Sequence, residues 1–362
     1  MKNKFITDFI FSLIHNFFIV IMLIVLSSVL ADASVSSSVS LKLPQMTIKN
    51  ARVVVGIMLP SSPNTYKQYT TVMLDKKTFQ EGMFKFTVGE LDGVVLVLSS
   101  PPPLGSFSLT AIDTYLLEKV FHPTLLIDPG TAGSHLPMLS MGDVVIGARV
   151  VNFSNYMTKA GGKIVPGQFS ALVSDNEGYT KGNPNPEYLY ASSTLVKLAA
   201  EAAHAVASYT PATILSAPVG RKPWVMTYGT QGSGDAWLRN VAQIQASTRI
   251  FHEVDEAGNY PIALVSTLNK VPFVEIHTIS DAAINVPTKM NGYFHRCSEY
   301  AQHRSNGIAL QMIKIMSSLP AAVPAGFGGG FSDPWSKGTF TRADLAPPYV
   351  AEWTHKYGVQ RE

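Results

Sequence analysis

Short apolar runs rich in β-branched residues alternate with amphipathic segments between residues 50 and 316 of this chain. Runs with these features, or with strict alternation, predict strands at 52–59, 84–88, 94–98, 124–128, 142–151, 224–227 and 271–277. Apolar residues at helical spacing predict helices at 106–121, 186–206, 235–246, 262–268 and 299–316. Such alternation is typical of a sheet covered by helices. We therefore expect an α/β fold: a single domain over residues 51–318, with a central mixed, mostly parallel sheet flanked by helices.

Composition excludes several other classes of protein. With 46% hydrophobic and 15% charged residues, the chain is not a disordered protein. A single cysteine, Cys297, excludes a disulfide-stapled fold. The formal charge of +3 without a dense Lys/Arg run argues against a nucleic-acid partner. His295, Cys297 and His303 fit no standard zinc spacing, so we predict neither a metal ion nor a cofactor.

The N-terminus has the features of a targeting segment. Lys2 and Lys4 precede a largely apolar stretch of about 14 residues, whereas a membrane-spanning helix needs roughly 20. Small residues follow, with Val29-x-Ala31 or Ala31-x-Ala33 as the cleavage site. We predict a signal peptide over residues 1–33; an uncleaved anchor is the alternative. Either alternative predicts that the folded part lies outside the cytoplasm. With the signal peptide, we expect a secreted or periplasmic protein without a stable membrane span after processing.

Two further segments are predicted to lie outside the folded domain. The serine-rich residues 34–50 are expected to be a flexible lead-in. Residues 319–362 are rich in proline and glycine and have no periodicity. They predict a C-terminal extension or linker outside the core.

Three loops are placed where ligands bind in open α/β sheets, beyond the carboxyl ends of strands. They are the loops 103–106, 130–133 and 278–281, which contain Gly105, Gly130, Thr131 and Gly133. The glycines allow the backbone to approach a ligand closely. Ser106 begins a predicted helix, where its hydroxyl and nearby N–H groups can receive an anion or a sugar hydroxyl. An ordinary strand-to-helix turn is the alternative for each loop.

Asp281 follows the predicted strand 271–277 closely. A carboxylate at such a position is costly unless it is hydrogen-bonded or protonated. An acid with a raised pKa can serve as a general acid. The alternative is a helix N-cap, which Ser280 or Asp281 could equally supply.

Three segments resemble one known family. Gly130-Thr-Ala-Gly-Ser134 followed by Met141-Gly-Asp-Val-Val-Ile146 is similar to a segment of the nucleoside phosphorylase superfamily. Ser233-Gly-Asp-Ala-Trp237 and the run Val271–Asp281 resemble segments of its methylthioadenosine/S-adenosylhomocysteine nucleosidases. The segments occur in the family's order and at compatible spacing. The region around Glu256 and Ala263-Leu264 also resembles the purine nucleoside permease branch.

The resemblance implies a purine nucleoside as substrate and assigns roles to individual residues. Asp281 would be the general acid that protonates N7 of the purine, and Ser280 would orient its carboxyl group. Trp237 would stack on the purine, with core packing as the alternative. Glu256 would grip the ribose hydroxyls, if the following segment is about two residues longer than is usual in the family.

The remaining implied contacts surround the sugar and the nucleophile. Gly105 and Ser106 match the loop that approaches the ribose and the nucleophile. His277 stands where the family commonly has an arginine. Family members are dimers, trimers or hexamers, so we also expect a homo-oligomer.

The nucleophile decides between hydrolysis and phosphorolysis. Asp128 stands where bacterial-type phosphorylases have a phosphate-binding arginine, and a carboxylate there repels phosphate. Water is therefore the expected nucleophile, although the glutamate that activates water in nucleosidases is missing after the first strand, where the chain reads Gly56-Ile-Met-Leu-Pro-Ser-Ser62. We expect an exported purine-nucleoside N-ribohydrolase. The alternatives are a phosphorylase, a non-catalytic nucleoside-binding or uptake protein, and a storage protein of the same fold.

Overall fold

A computed structural model describes the chain in the ranges 53–59, 63–100, 106–137, 139–158, 160–162, 164–166, 188–206, 223–281 and 291–318. The predicted signal peptide, lead-in and C-terminal extension lie outside these ranges, and so does Gly105. Within them, no helix has both the length and the apolar character needed to cross a bilayer.

Strands and helices alternate as predicted. The strands are β1 (Val54–Met58), β2 (Leu74–Glu81), β3 (Phe84–Leu91), β4 (Val94–Ser100), β5 (Leu125–Ser134), β6 (Val144–Asn152), β7 (Tyr156–Thr158), β8 (Ile164–Pro166), β9 (Tyr188–Tyr190), β10 (Val225–Ser233), β11 (Asp255–Ala257) and β12 (Phe273–Asp281). The helices are α1 (Pro63–Thr70), α2 (Phe107–Phe121), α3 (Ser193–Val206), α4 (Val241–Phe251), α5 (Tyr260–Asn269) and α6 (Asn291–Ser318).

The main sheet has the strand order β11-β10-β6-β12-β5-β1-β4-β3-β2, with β9 added on β6. Parallel pairs join β1 to β4 and β5, β12 to β5, and β10 to β6 and β11. Antiparallel pairs join β2 to β3, β3 to β4, β6 to β9 and β12, and β11 to β5. The prediction of a mixed sheet is confirmed, but the sheet is not mostly parallel, because its antiparallel strand pairs are as many as its parallel pairs in the described residues.

The short strand β11 closes part of this sheet into a ring. It pairs with β10 on one side and with β5 on the other. Strands β5, β12, β6, β10 and β11 therefore form a closed circuit of hydrogen bonds. Helix α6 packs on β5 and β12, helix α3 packs on α6, and α2 packs on α5. Large side chains such as Ile57, Leu96, Leu126 and Phe273 are fully buried in the core between these layers.

Several element boundaries differ from the predictions. The helix predicted from Pro186 begins only at Ser193, because Leu189 belongs to β9 and pairs there with Val150 of β6. Pro186 lies outside the described residues. The helix predicted over 235–246 begins at Val241, because the Asn240 side chain accepts hydrogen bonds from the first free N–H groups of α4.

Glycines account for other differences. Strand β3 continues past the predicted strand 84–88 and includes Gly89, and the turn before β4 falls at Asp92 and Gly93, both with positive φ. Strands β5, β10 and β12 continue through residues expected to form loops, since neighbouring strands supply hydrogen-bond partners there. Helix α1 and edge strand β2 were not predicted, because their sequences are polar and have no strong apolar period.

Candidate active site

A pocket of about 280 Å³ lies where β5, β11 and β12 meet. Its described lining consists of Thr131, Ala132, Gly133, Phe153, Gly234, Asp235, Ala236, Trp237, Glu256, Ala257, Gly258, Ser280 and Asp281. Six residues that the sequence predicted for the site are thus brought together: Thr131, Gly133, Trp237, Glu256, Ser280 and Asp281.

Two carboxylates flank one glycine at the ends of these strands. Asp281 on β12 and Glu256 on β11 are both register partners of Gly133 on β5. The register of β12 shifts between Ile279 and Asp281, which is the mark of a bulge that re-aims a side chain next to a site. The segment 278–281, predicted as a loop, is therefore the last, bulged part of a paired strand.

Asp281 is nearly inaccessible to solvent, with 3% of its surface exposed. Burial raises the pKa of Asp281 to about 6; the Arg239 guanidinium opposes this shift and the Glu256 carboxylate adds to it. The Ser280 hydroxyl lies 3.3 Å from the Ala132 carbonyl oxygen and 3.5 Å from Asp281 Oδ1. Asp281 can therefore hold a proton in mildly acidic solution, beside a hydroxyl group that orients it.

Trp237 forms the rim of the pocket. More than half of its surface is exposed, 56%, so the alternative that Trp237 packs in the core is wrong. The Arg239 guanidinium lies over its ring, with Cζ 4.2 Å from the ring centre. Arg239 Nη2 is also 3.7 Å from Asp281 Oδ2. The Trp237 ring and the buried Asp281 carboxyl group thus line one pocket, and the half-exposed Arg239 contacts both of them.

Glu256 is held by contacts on one of its two carboxylate oxygens. Its Oε2 accepts a hydrogen bond from the Leu238 N–H at 3.1 Å and lies 3.1 Å from Nε2 of His135. Nδ1 of His135 lies 3.1 Å from Oε1 of Glu253. Sequence reasoning missed His135, Glu253 and Arg239, since none has a diagnostic spacing. The position of His135 directly after the Gly130–Ser134 segment was the one available signal.

Three predicted site residues do not line the pocket. Ser106 caps α2, accepting a hydrogen bond from the Leu109 N–H at 3.2 Å. His277 is buried, with Nε2 3.5 Å from Asp128 and Nδ1 3.6 Å from Asp255. Gly130 lies against His277, and a Cβ there would be 3.0 Å from the imidazole ring.

Beneath the pocket, a second group of charged side chains is buried inside the ring of strands. Burial lowers the pKa of His277, but its ion pairs with Asp128 and Asp255 outweigh this and raise the pKa to about 10. Ligand atoms of Asp128, Glu275 and His277 lie within 4.8 Å of one another, so these described residues have the spacing to hold a metal ion. Burial and the Asp128 charge raise the pKa of Glu275 well above its usual value. A protonated Glu275 reduces the charge of this group without an ion.

The fold and the pocket define an α/β protein with a closed strand ring and an acid beside an aromatic rim. Residues 54–314 match the sequence profile described as the phosphorylase superfamily. The chain belongs to this superfamily, as its three motifs predicted.

Curated relatives of the chain are named 5′-methylthioadenosine/S-adenosylhomocysteine nucleosidases. The protein of that name from Geobacillus sp. (strain WCH70) is 30% identical over 241 residues, which cover 65% of this chain and 86% of the relative. The one from Marinomonas sp. (strain MWYL1) is 29% identical over 204 residues, covering 55% and 73%.

Solved structures share the fold. A nucleosidase of the same name from Neisseria meningitidis, in complex with methylthio-immucillin-A, has a TM-score of 0.54 at 21% identity, covering 72% of this chain and 99% of that one. Futalosine hydrolase of Helicobacter pylori has a TM-score of 0.55 at 15% identity, with coverage of 73% and 98%. At such identities, these structures support the fold alone.

Proposed function

We propose that this protein hydrolyses the N-glycosidic bond of purine nucleosides, with Asp281 as the general acid. One observation carries the proposal: Asp281 is buried in a pocket beside Trp237, and its pKa is raised to about 6. The names of the curated relatives support the same class of reaction.

The proposed mechanism begins with protonation of the leaving group. The C1′–N9 bond breaks as the sugar becomes cationic, and the purine leaves readily only if a ring nitrogen gains a proton. Asp281 donates that proton while Ser280 holds its carboxyl group. Trp237 stacks on the purine. Water adds to C1′ and loses a proton to solvent, and Asp281 regains its own, so the products are free base and ribose.

Water is favoured over phosphate by the charges around the pocket. None of the lining residues that the structure describes is a lysine or arginine, whereas phosphate sites use such cations or helix N-termini. Asp128, which stands where phosphorylases have an arginine, is engaged with His277. The Arg239 guanidinium, which contacts Asp281, lies over Trp237.

The test is to incubate the purified mature protein with methylthioadenosine, adenosine and inosine, with and without phosphate. We expect free base and free sugar at the same rate in both conditions, and release of both about 10²–10⁴-fold slower with Asp281→Asn. Release of base only when phosphate is added, with formation of a sugar phosphate, would replace hydrolysis by phosphorolysis.

A second candidate, a nucleoside-binding protein without turnover, is favoured by one observation. Strand β1 ends at Met58 and is followed by Leu59, so the carboxylate that activates water in the family is missing there. This candidate predicts that nucleosides raise the melting temperature without being cleaved. Turnover that disappears in Asp281→Asn would rule it out.

We also propose export and self-association. Lys2 and Lys4 before a short apolar stretch, with small residues at 29–33, support a cleaved signal peptide. N-terminal sequencing of the protein from fractionated cells should find a mature start after Ala31 or Ala33; an intact Met1 in the cytoplasm would contradict export. Light scattering on the purified protein tests the predicted homo-oligomer.

A further inference from the structure

Glu253, His135 and Glu256 form a buried row of three charged groups that ends at the pocket. The His135 imidazole lies between the two carboxylates, 3.1 Å from each. His135 and Glu253 have no exposed surface, and Glu256 is also buried. Glu253 is not among the described lining residues of the pocket, and its carboxylate contacts His135.

The backbone holds this row in place. His135 directly follows β5, and its N–H donates to the Val254 carbonyl oxygen at 3.0 Å. This bond ties the end of β5 to the segment that carries Glu253. Gly232 leaves room for the Glu253 side chain, since a Cβ there would lie 2.7 Å from its Cγ. The Phe153 ring packs against the imidazole, with centroids 6.0 Å apart.

The row carries a buried cation at neutral pH. Burial by itself lowers the pKa of His135, but the contacts with Glu253 and Glu256 outweigh burial and raise it to about 9. Asp255 and Asp281 lie further away and also interact with this charge. Nδ1 of the imidazolium is within hydrogen-bond distance of Glu253 Oε1, and Nε2 lies at ion-pair distance from Glu256 Oε2, so its positive charge faces both carboxylates.

Glu256 is consequently held from one side. Its Oε2 faces His135 and the Leu238 N–H, whereas Oε1 has no hydrogen-bond partner in the described structure. We propose that His135, supported by Glu253, is a positioning residue that fixes the Glu256 carboxylate so that Oε1 receives a ribose hydroxyl of the nucleoside. This inference rests on the proposed function, because it takes the pocket to bind a nucleoside. It adds to the proposed function a preference for ribose over deoxyribose. His135 and Glu253 set this preference without contacting the sugar themselves.

A double variant tests the positioning role. His135→Leu alone would leave Glu253 as a buried charge without its partner, so His135→Leu is combined with Glu253→Met, which replaces both by apolar groups of similar size. The readout is the ratio of kcat/KM for adenosine to that for 2′-deoxyadenosine and 3′-deoxyadenosine. We expect the ratio for at least one deoxy analogue to fall about tenfold or more, as for loss of a well-placed hydrogen bond to a charged group.

The matched control replaces a buried polar pair remote from the pocket. Ser266 donates to Glu118 at 2.7 Å, on α5 and α2. Glu118→Met combined with Ser266→Ala should leave the sugar selectivity unchanged even if stability falls. A folded His135→Leu/Glu253→Met variant that keeps the wild-type ratio for both deoxy analogues would overturn the inference.

Two measurements keep the inference separable from the proposed function. If the wild type binds nucleosides without cleaving them, the same ratio is taken from dissociation constants measured by calorimetry. If the double variant does not fold, the wild-type imidazole of His135 is titrated by NMR and identified by its contact with Phe153. A titration near pH 9 supports the charged row, and a titration at or below the usual value of about 6.5 overturns it.

Discussion

Arg239 stacks its guanidinium on the Trp237 ring, with Cζ 4.2 Å from the ring centre. The same group reaches towards Asp281, with Nη2 3.7 Å from Oδ2. In the proposed function, a purine that stacks on Trp237 and takes a proton from Asp281 would enter the space beside this cation. Arg239 would then affect both the entry of the base and the acidity of the proposed proton donor.

Arg239→Gln should shift the pH dependence of cleavage upwards. Arg239 lowers the pKa of Asp281 against the effect of burial, so its removal raises that pKa. The acid works only while protonated, and activity is therefore retained to higher pH. Profiles of kcat/KM between about pH 5 and pH 8 measure the shift. Arg249→Gln, at an exposed arginine on α4, is the control, and an equal shift there would contradict the assignment.

Asp281→Asn should lower kcat by about 10²–10⁴-fold, the usual contribution of a general acid. Nucleoside binding should persist, because the amide fills the same space. Ser280→Ala removes only the hydroxyl group that orients the acid, so its loss should be much smaller. Steady-state kinetics with calorimetric binding separate the two effects. A near-normal kcat in Asp281→Asn would exclude Asp281 as the proton donor.

Asp281→Asn should also stabilise the fold above about pH 6, where the buried carboxyl group of the wild type ionises. The folded pKa of Asp281 is raised from 3.8 to about 6. Its contribution to stability is therefore present below the unfolded pKa and lost as the pH rises through 6. The amide of Asp281→Asn does not ionise and avoids this loss, which is at most about 3 kcal/mol. Melting temperatures of wild type and variant should diverge between about pH 4 and pH 8. If the two melting temperatures change in parallel with pH, burial does not raise the pKa of Asp281.

Trp237→Ala should raise KM about tenfold or more, because stacking of a base on an aromatic side chain contributes about 1–3 kcal/mol. Trp237→Phe keeps a stacking surface and should recover most of the affinity. Stability should change little in either variant, since more than half of Trp237 is exposed. If both variants bind nucleoside as well as the wild type does, the base does not stack on Trp237.

Stability should fall as the pH rises from neutral towards about 10. The folded pKa values of His135 and His277 are raised to about 9 and about 10. Each contributes stability that is complete below the unfolded value of about 6.5 and lost as the pH passes the folded value. Thermal melts between these limits measure the fall, and His135→Leu/Glu253→Met should lack part of it. A melting temperature that stays constant over this range would mean that neither imidazole is charged in the fold.

The sequence predicted the elements whose residues repeat with a clear period. Helix α2 begins at its predicted cap, Ser106, and the apolar run of β4 lies where expected. The predicted strands were too short because strand pairing continues through glycines. Gly133 of β5, for example, pairs with β11 on one side and with β12 on the other. No local pattern reveals that a distant strand supplies its partners.

The residues predicted for the candidate site that do line the pocket are those in or near a segment that resembles the family. Asp281, Ser280, Trp237 and Glu256 line one pocket, and each lies in or near a family segment. His277 was expected near the ligand, but it is buried against Asp128 and Asp255. The register shift of β12 between Ile279 and Asp281 separates it from the part of the strand that lines the pocket. His135 and Glu253 were missed, since 118 residues separate them in the chain.

The closure of the ring by β11 divides the pocket into two parts with unequal freedom to change. Glu256 and Asp281 belong to strands bonded on either side of Gly133, so replacing the backbone around either one disturbs both. The segment that carries Trp237 and Arg239 joins β10 to α4 and belongs to no strand or helix. Redesign of the preferred base or sugar substituent should therefore begin within 234–240. The Leu238 N–H that holds Glu256 and the Asn240 cap of α4 should be kept, while the paired strands hold Asp281, the proposed proton donor, in register.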